Sequence, residues 1–567
     1  MIKSRLFTII AVLTMISSSW SQTINYDSVS FHPPLKISPV LAANFGELRS
    51  NHFHTGIDYK TNRRTGYNIY AIDDGYVSRI KVSPWGYGKA VYIDHYNGLT
   101  SVYAHCESFA GGIEELKQRV QHSSQDFAIN YYPPKDSLKV RRGQIIAKSG
   151  NTGGSTAPHL HFEIRETVSE DALNPLMFNF DIKDTRKPQI RGLKIYSLTN
   201  EGYRIPNKSK RFSVYGNQGN YRVRHSHITL PADFAAKNGG LGFAVDAIDQ
   251  LNAANNICGI HRAYLVVNGD TVFTQNMSRI SFFTNRQINT HKDYEEYHRR
   301  RKHYQKTFKT RHNELPIYRT LKNNGILNVE PGKSYKITYS CYDTHGNRSS
   351  MSFKLSIARG EQPQQHVLYK GKNKLYPDTP FLHVDSTHYL LFPPHLVYEP
   401  IPRILESKAG LLRFGSSAIP LDDYFQLMMK VDTTLGSRWY VKRTNANGYT
   451  SALNGNTSKG WIHVDSRNFG LFEPALDTLP PTIRTANFSD GSHVRGRTLV
   501  LRIDDDQSGI SDYDIYIDGK WHLLSWEPKR RAFYFHPPES LEGKKQVNIR
   551  AIDHCGNERT LNYTLHF

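Results

Sequence analysis

Two short stretches hold side chains suited to binding a metal ion. In His159-Leu-His-Phe-Glu-Ile-Arg165 the apolar Leu160, Phe162 and Ile164 alternate with His159, His161, Glu163 and Arg165. In a strand, both imidazoles then share one face while the other face anchors on a core. In His54-Thr-Gly-Ile-Asp58 a histidine and a carboxylate four apart fall on one side of an extended segment, with Gly56 relaxing the backbone between them. Two imidazole nitrogens and one carboxylate oxygen make a catalytic zinc set whose fourth position stays open for water. That donor mix favours zinc over softer copper(I) or harder magnesium. A further imidazole, His105, ends the strand-like run Thr100-Ser-Val-Tyr-Ala104.

The chain has 26 histidines, so single pairs carry little weight. His225-Ser-His227 has the same spacing as the favoured pair but no acidic partner or glycine framing, and reads as surface chemistry. His52 and His95 are given no role, and Glu163 and Arg165 read as a strand-face charge pair or as support behind the ligands. Cys106 adjoins His105, yet neighbouring strand residues point to opposite faces, which excludes it as a nucleophile of the same site.

Taken in order, His54-x-x-x-Asp58, His105 and His159-x-His161 resemble the motifs of the lysostaphin-like, or LytM-type, peptidoglycan endopeptidases. Ala71-Ile-Asp-Asp-Gly75 and Val140-Arg-Arg-Gly-Gln-Ile-Ile-Ala-Lys-Ser-Gly-Asn-Thr-Gly153 extend the resemblance over residues 37–178. It implies one Zn2+ per chain held by His54, Asp58 and His161, with His105 and His159 as catalytic histidines. It further implies a small, strongly twisted β-barrel-like sandwich with a groove, hydrolysing peptide cross-links of peptidoglycan. The bond between D-alanine and the side-chain amine of a diamino acid is the expected target. Ala157 departs from the family's usual glycine, and the insertion after His105 is long. The alternative within the same fold is a non-catalytic wall-binding protein or amidase activator.

The elements that must position these residues are all β. Short alternating runs such as Tyr76-Val-Ser-Arg-Ile80 and Ala90-Val-Tyr-Ile-Asp94 are separated by Gly, Pro and Asn turns, which gives a peptidase unit over residues 22–183. An insertion at 106–139 contains helical spacing in Ile113-Glu-Glu-Leu-Lys-Gln-Arg-Val120. Beyond it, a weak repeat pairs Val245-Asp-Ala-Ile-Asp249, Cys258-Gly-Ile260 and Asp343 with Gly346-Asn347 against Leu501-Arg-Ile-Asp504, Ser508-Gly-Ile510 and Asp553 with Gly556-Asn557. Each copy suits an immunoglobulin-like β-sandwich, over 184–360 and 477–567. Residues 361–476 form a β-rich stretch of no assigned family. The first copy is interrupted at about 276–324 by a basic run with His298-Arg-Arg-Arg-Lys-His303, expected as a solvated loop or helix face and less readily as a contact for anionic polymer.

At 567 residues the chain exceeds one hydrophobic core. Lys3, Arg5, the apolar run Leu6 to Ile16 and small residues up to Ser21 predict a signal peptide at 1–21, and hence export to the periplasm or envelope. The run is shorter than the roughly 20 residues of a bilayer span, and no later run is long enough, so no stable transmembrane span is expected in the mature form. A formal charge of +21 then favours peptidoglycan and other anionic wall polymer over nucleic acid, with other envelope proteins meeting the sandwich units. The four cysteines lack C-x-x-C spacing; Cys258 and Cys341 fall in one unit and could pair in an oxidising compartment.

Overall fold

The computed structural model describes residues 29–364, 373–436 and 438–567, so the expected signal peptide lies outside the described residues. The chain is mostly β. Its N-terminal unit centres on a sheet in the order Leu41–Ala43, Ile57–Lys60, His159–Glu166, Leu99–Ala104, Lys89–His95, Gly75–Val82 and Ile129–Tyr131. A smaller sheet of Asn68–Tyr70, Ile145–Lys148 and Ser108–Phe109 shares its core, where Ile57, Ile69, Ile93, Ile146, Leu160, Phe162 and Ile164 are fully buried. The alternation in His159–Glu166 points Leu160, Phe162 and Ile164 into that core, as expected. Its polar face is buried too, with His161, Glu163 and Arg165 at 4, 0 and 5% exposure, so this strand is enclosed on both sides.

The insertion after His105 belongs to the fold. Its helix, Gly112–Ser124, contains the periodic stretch, and Ile129–Tyr131 pairs with Gly75–Val82 to extend the main sheet. Residues 189–357 form one large sheet around a core of Leu193, Val245, Leu265, Ile337 and Phe353. Two five-stranded sheets follow over 381–476, closed on Phe392, Phe414, Phe425, Phe469 and Phe472. Two four-stranded sheets over 482–566 enclose Leu501, Ile515, Phe533 and Ile549. All four cysteines are free thiols, so Cys258 and Cys341 are separate buried side chains and not a bridge. Among the described residues no helix is long and apolar enough to cross a membrane.

The basic interruption differs most from expectation. Its longest exposed run is His298–Lys302, and much of the rest is buried. Met277, Ile280, Ile288, Leu315 and Ile317 form one cluster with Phe45, Leu48 and Phe53. The loop that leads into His54 has little secondary structure of its own, so its backbone groups need outside partners. The Asn285 amide supplies two, accepting from Phe53 N–H at 2.6 Å and donating to Phe53 O at 3.3 Å. Lys292, fully buried, donates to Arg49 O at 2.6 Å and to Ser50 O. Asn44 clamps Gly259 in the same two-bond manner, at 2.8 Å each.

Replacing Asn285 by Ala leaves two buried backbone groups of Phe53 without partners. The expected loss is about 1–3 kcal/mol of stability, read as a lower urea midpoint with unchanged m-value.

Candidate metal centre and its histidines

Strand pairing does most of the assembly. His161 lies directly opposite Asp58 in the antiparallel ladder, and His161 also faces Ala104, so the next residue, His105, emerges beside it at the strand end. His105 takes a left-handed backbone, φ +60°, which turns the chain out of the strand and leaves the imidazole at the site. His54 stands just before Ile57–Lys60. Gly56 serves space and not flexibility, contrary to expectation: a Cβ there would lie 2.4 Å from Phe162 O and 2.9 Å from Glu163 Cγ.

Three atoms converge. His54 Nε2, Asp58 Oδ1 and His161 Nδ1 are separated by 3.1, 2.9 and 3.0 Å. A tetrahedral zinc with ligands at its usual bond lengths spaces them about 3.3 Å apart, so these residues fit the ion with shifts of a few tenths of an ångström. His159 Nε2 is 3.5 Å from Asp58 Oδ1, and the His105 and His159 ring centres are 4.7 Å apart. All five residues singled out in the sequence therefore meet, whereas His227 pairs with Ser356 in an exposed position and His95 is a core residue held by Asp74 O and Ser101. Cys106 is buried in the core, which pushes its thiol up to about 12.

Each ring is fixed by its far nitrogen. His54, His105 and His159 direct Nδ1 at the carbonyl oxygens of Asn44, Thr152 and Ala157, each at 2.8 Å, which turns Nε2 toward the centre. His161 is reversed: Nε2–H donates to Glu163 Oε1 at 2.8 Å, and Nδ1 faces the other ligands. Glu163 is held in turn by Thr55 Oγ1 at 2.6 Å, Tyr87 OH at 2.5 Å and Arg165 Nε at 2.7 Å, and the Tyr87 ring stacks on His161. Such carboxylate–histidine pairs set the tautomer and raise ligand basicity. Glu163 and Arg165 thus support the ligands. Thr55, Tyr87 and Arg49, whose guanidinium is 3.5 Å from Asp58 Oδ2, were not singled out in the sequence, because no spacing rule links them to the histidines.

The electrostatics suit a cation. Burial alone would lower His161, but the hydrogen bonds and charges of Asp58 and Glu163 outweigh it and lift the imidazole to about 9. Burial opposes ionisation of Asp58 as well, yet His54, His159 and His161 hold it well below the usual carboxylate range. His105 is pushed down to about 3 by burial and by His161 and His159, and stays neutral at ordinary pH.

Two loops form the rim beside His159. Gly153, at φ +70°, packs so closely that a Cβ would lie 2.3 Å from Gly88 N, and Gly154 N–H bonds Gly86 O at 2.8 Å. The last unit reaches this rim: Lys529 Nζ donates to Asn151 O and, at 3.2 Å, to Ser155 O, and Trp526 meets Trp85 edge to face at 5.3 Å.

Residues 52–125 and 130–175 match Peptidase family M23. Over 129 residues the chain is 33% identical to the DD-carboxypeptidase/endopeptidase Mpg of Neisseria meningitidis serogroup B, covering 23% of each protein. It is 28% identical over 150 residues to the peptidoglycan DD-endopeptidase ShyA of Vibrio cholerae, covering 26% of each. The chain therefore spans about a quarter of the length of these curated relatives. Among solved structures, the catalytic domain of the prophage-encoded M23 protein EnpA from Enterococcus faecalis is 26% identical over 26% of this chain and 96% of that one, with a TM-score of 0.20. A zinc-containing peptidase from Vibrio cholerae is also 26% identical, over 24% of this chain and 36% of that one, with a TM-score of 0.18. The matched stretch is a LytM-type M23 peptidase domain.

Because His161 without metal carries a proton below about pH 9, zinc must displace that proton to bind. Apparent zinc Kd should therefore rise about tenfold per unit as pH falls from about 8 to about 6, and a Kd independent of pH would contradict this. Glu163→Gln should weaken zinc binding by about 10- to 100-fold, measured by competition with a chromogenic chelator.

Proposed function

We propose that this chain, with an M23 domain at its N-terminal end, is an exported zinc metalloendopeptidase that hydrolyses peptide cross-links of peptidoglycan. The bond proposed is that between D-alanine and the side-chain amine of a diamino acid. The observation that carries the reading is the convergence of His54, Asp58 and His161 with His105 and His159 around one point. The relatives named as DD-endopeptidases support the substrate class. Export to the periplasm or envelope rests on the N-terminal sequence, and the positive charge suits an anionic wall.

Zinc, when bound, supplies a Lewis acid for the scissile carbonyl and lowers the pKa of water. His54, Asp58 and His161 would hold it, while Glu163, Asn44 O and the strand ladder keep those ligands oriented. His105, neutral and with Nε2 turned inward, accepts the proton of the attacking water and returns it to the leaving amine. His159, with Nδ1–H held by Ala157 O, donates from Nε2 to the oxyanion of the tetrahedral intermediate when its ring carries both protons. A purely wall-binding or amidase-activating role gives no account of the complete ligand set and its buried supports.

The units beyond residue 184 are proposed as two immunoglobulin-like sandwiches, over 184–360 and 477–567, flanking a β-rich unit at 361–476. Their role is to place the peptidase on the wall and to meet other envelope proteins.

Purified wall material incubated with zinc-loaded protein should release fragments whose masses correspond to cleaved cross-links. His159→Ala should lower the rate by at least about 10²-fold with zinc retained, His54→Ala should lose both zinc and activity, and His227→Ala should match the parent. Equal activity in all three variants would sink the assignment.

A further inference from the structure

A second histidine–carboxylate–histidine group lies where the unit at 189–357 meets the β-rich unit that follows it. His312 stands in the loop between Tyr304–Lys306 and Tyr318–Leu321. Phe308 before it and Leu315 and Ile317 after it are buried in two different clusters, so the loop is anchored at both ends. Asp378 and His395 belong to the following unit. Leu375, Leu396 and Val397 beside them lie in its core, and His395 N–H donates to Pro377 O at 2.6 Å, which holds the two segments side by side. The joint between the units is fixed close by: Arg204 Nε donates to Glu399 Oε1 at 3.0 Å, and Tyr398 OH donates to Arg286 O at 3.2 Å.

The two imidazoles address one oxygen. His312 Nε2 is 2.6 Å and His395 Nδ1 4.0 Å from Asp378 Oδ1, and the three residues offer donor atoms within 4.8 Å of one another. Donors on a tetrahedral zinc stand about 3.3 Å apart, and the separations from Asp378 Oδ1 straddle that value. The Asp378 and His395 side chains, 45 and 61% exposed, have room to adjust to it. His312 Nε2 is itself buried, and its approach to Asp378 lies off the direction of a hydrogen bond, so this nitrogen has no hydrogen-bond partner. A buried polar atom left in that state is costly unless another group meets it.

The group also repeats the M23 centre in its arrangement. At each, two imidazoles face Oδ1 of the aspartate while an arginine lies against Oδ2: Arg49 is 3.5 Å from Asp58, and Arg311 is 3.9 Å from Asp378. At each, the two rings are 4.9 Å apart, inclined at 63° for His54 and His161 and at 53° for His312 and His395. Two imidazoles with one carboxylate favour zinc over calcium or magnesium, which take oxygen ligands. The greater exposure of the second group suits an ion that links two units and keeps water in its remaining positions.

We infer that the chain binds a second zinc ion, at His312, Asp378 and His395, which ties the unit at 189–357 to the β-rich unit after it. Leu315 and Ile317 of the same loop pack with Phe45, Leu48 and Phe53, so the ion also steadies the segment that braces His54.

The test uses the full-length protein, stripped of metal by chelation and then dialysed against ZnCl2. Elemental analysis should count two zinc ions per chain. His54→Ala removes the ion of the M23 centre and should leave one, His312→Ala should also leave one, and the two together none. His227→Ala, an exposed histidine outside both groups, should keep two, which separates a built site from weak binding by any of the 26 histidines. In His54→Ala, where only the second group remains, zinc should still raise the Tm. That rise should vanish when Asp378→Asn is added, a change of similar shape at a half-exposed position that leaves the metal-free Tm in place. A single zinc per chain in the parent, or a zinc count in His54→Ala that His312→Ala does not lower, overturns the inference.

Discussion

The site depends on one hydrogen bond, from His161 Nε2 to the buried carboxylate of Glu163. Among the four histidines only His161 has its far nitrogen held by a charged side chain. The contact orients the ring so that Nδ1 meets Asp58 across the strand pair, and it raises the basicity of that nitrogen. A carboxylate at 0% exposure is sustainable because Arg165, Tyr87 and Thr55 all donate to it. The strand His159–Glu166 thus carries a candidate ligand, its carboxylate support and the charge that compensates it on one face, at alternate positions, with hydrophobic anchoring on the other.

This explains why so much of the site could be read from the residues. Alternation in a strand is a local property, so the placement of His159, His161, Glu163 and Arg165 on one face follows from the pattern alone. The order of His54, Asp58, His105 and the His-x-His pair supplied the rest through family resemblance. Gly56 was misread because its constraint comes from Phe162 O, a partner more than a hundred residues away that no spacing rule names. Tyr87 escaped notice for the same reason. The mostly β character was legible in the short alternating runs, whereas nothing local showed that the insertion after His105 would extend the main sheet through Ile129–Tyr131.

The basic interruption shows the limit of local patterning most clearly. Its composition suggests a solvated segment, and His298–Lys302 does lie at the surface. Yet Asn285 and Lys292, embedded in the same stretch, satisfy the backbone of the loop that presents His54. The candidate site is therefore braced by residues that lie outside the group His54, Asp58 and His161. Polar side chains that cap a distant backbone carry no periodicity, and only the folded structure reveals them.

The contact of Lys529 and Trp526 with the rim loops brings the last unit of the chain back onto the first. The rim beside His159 is thereby composite, drawn from residues 85–155 and from residues 526–529. Any ligand approaching His105 and His159 from that side would touch Lys529 and Trp526 first. The surface around the five converging residues is consequently a property of both units, and residues 29–183 excised alone would present a different rim from the intact chain.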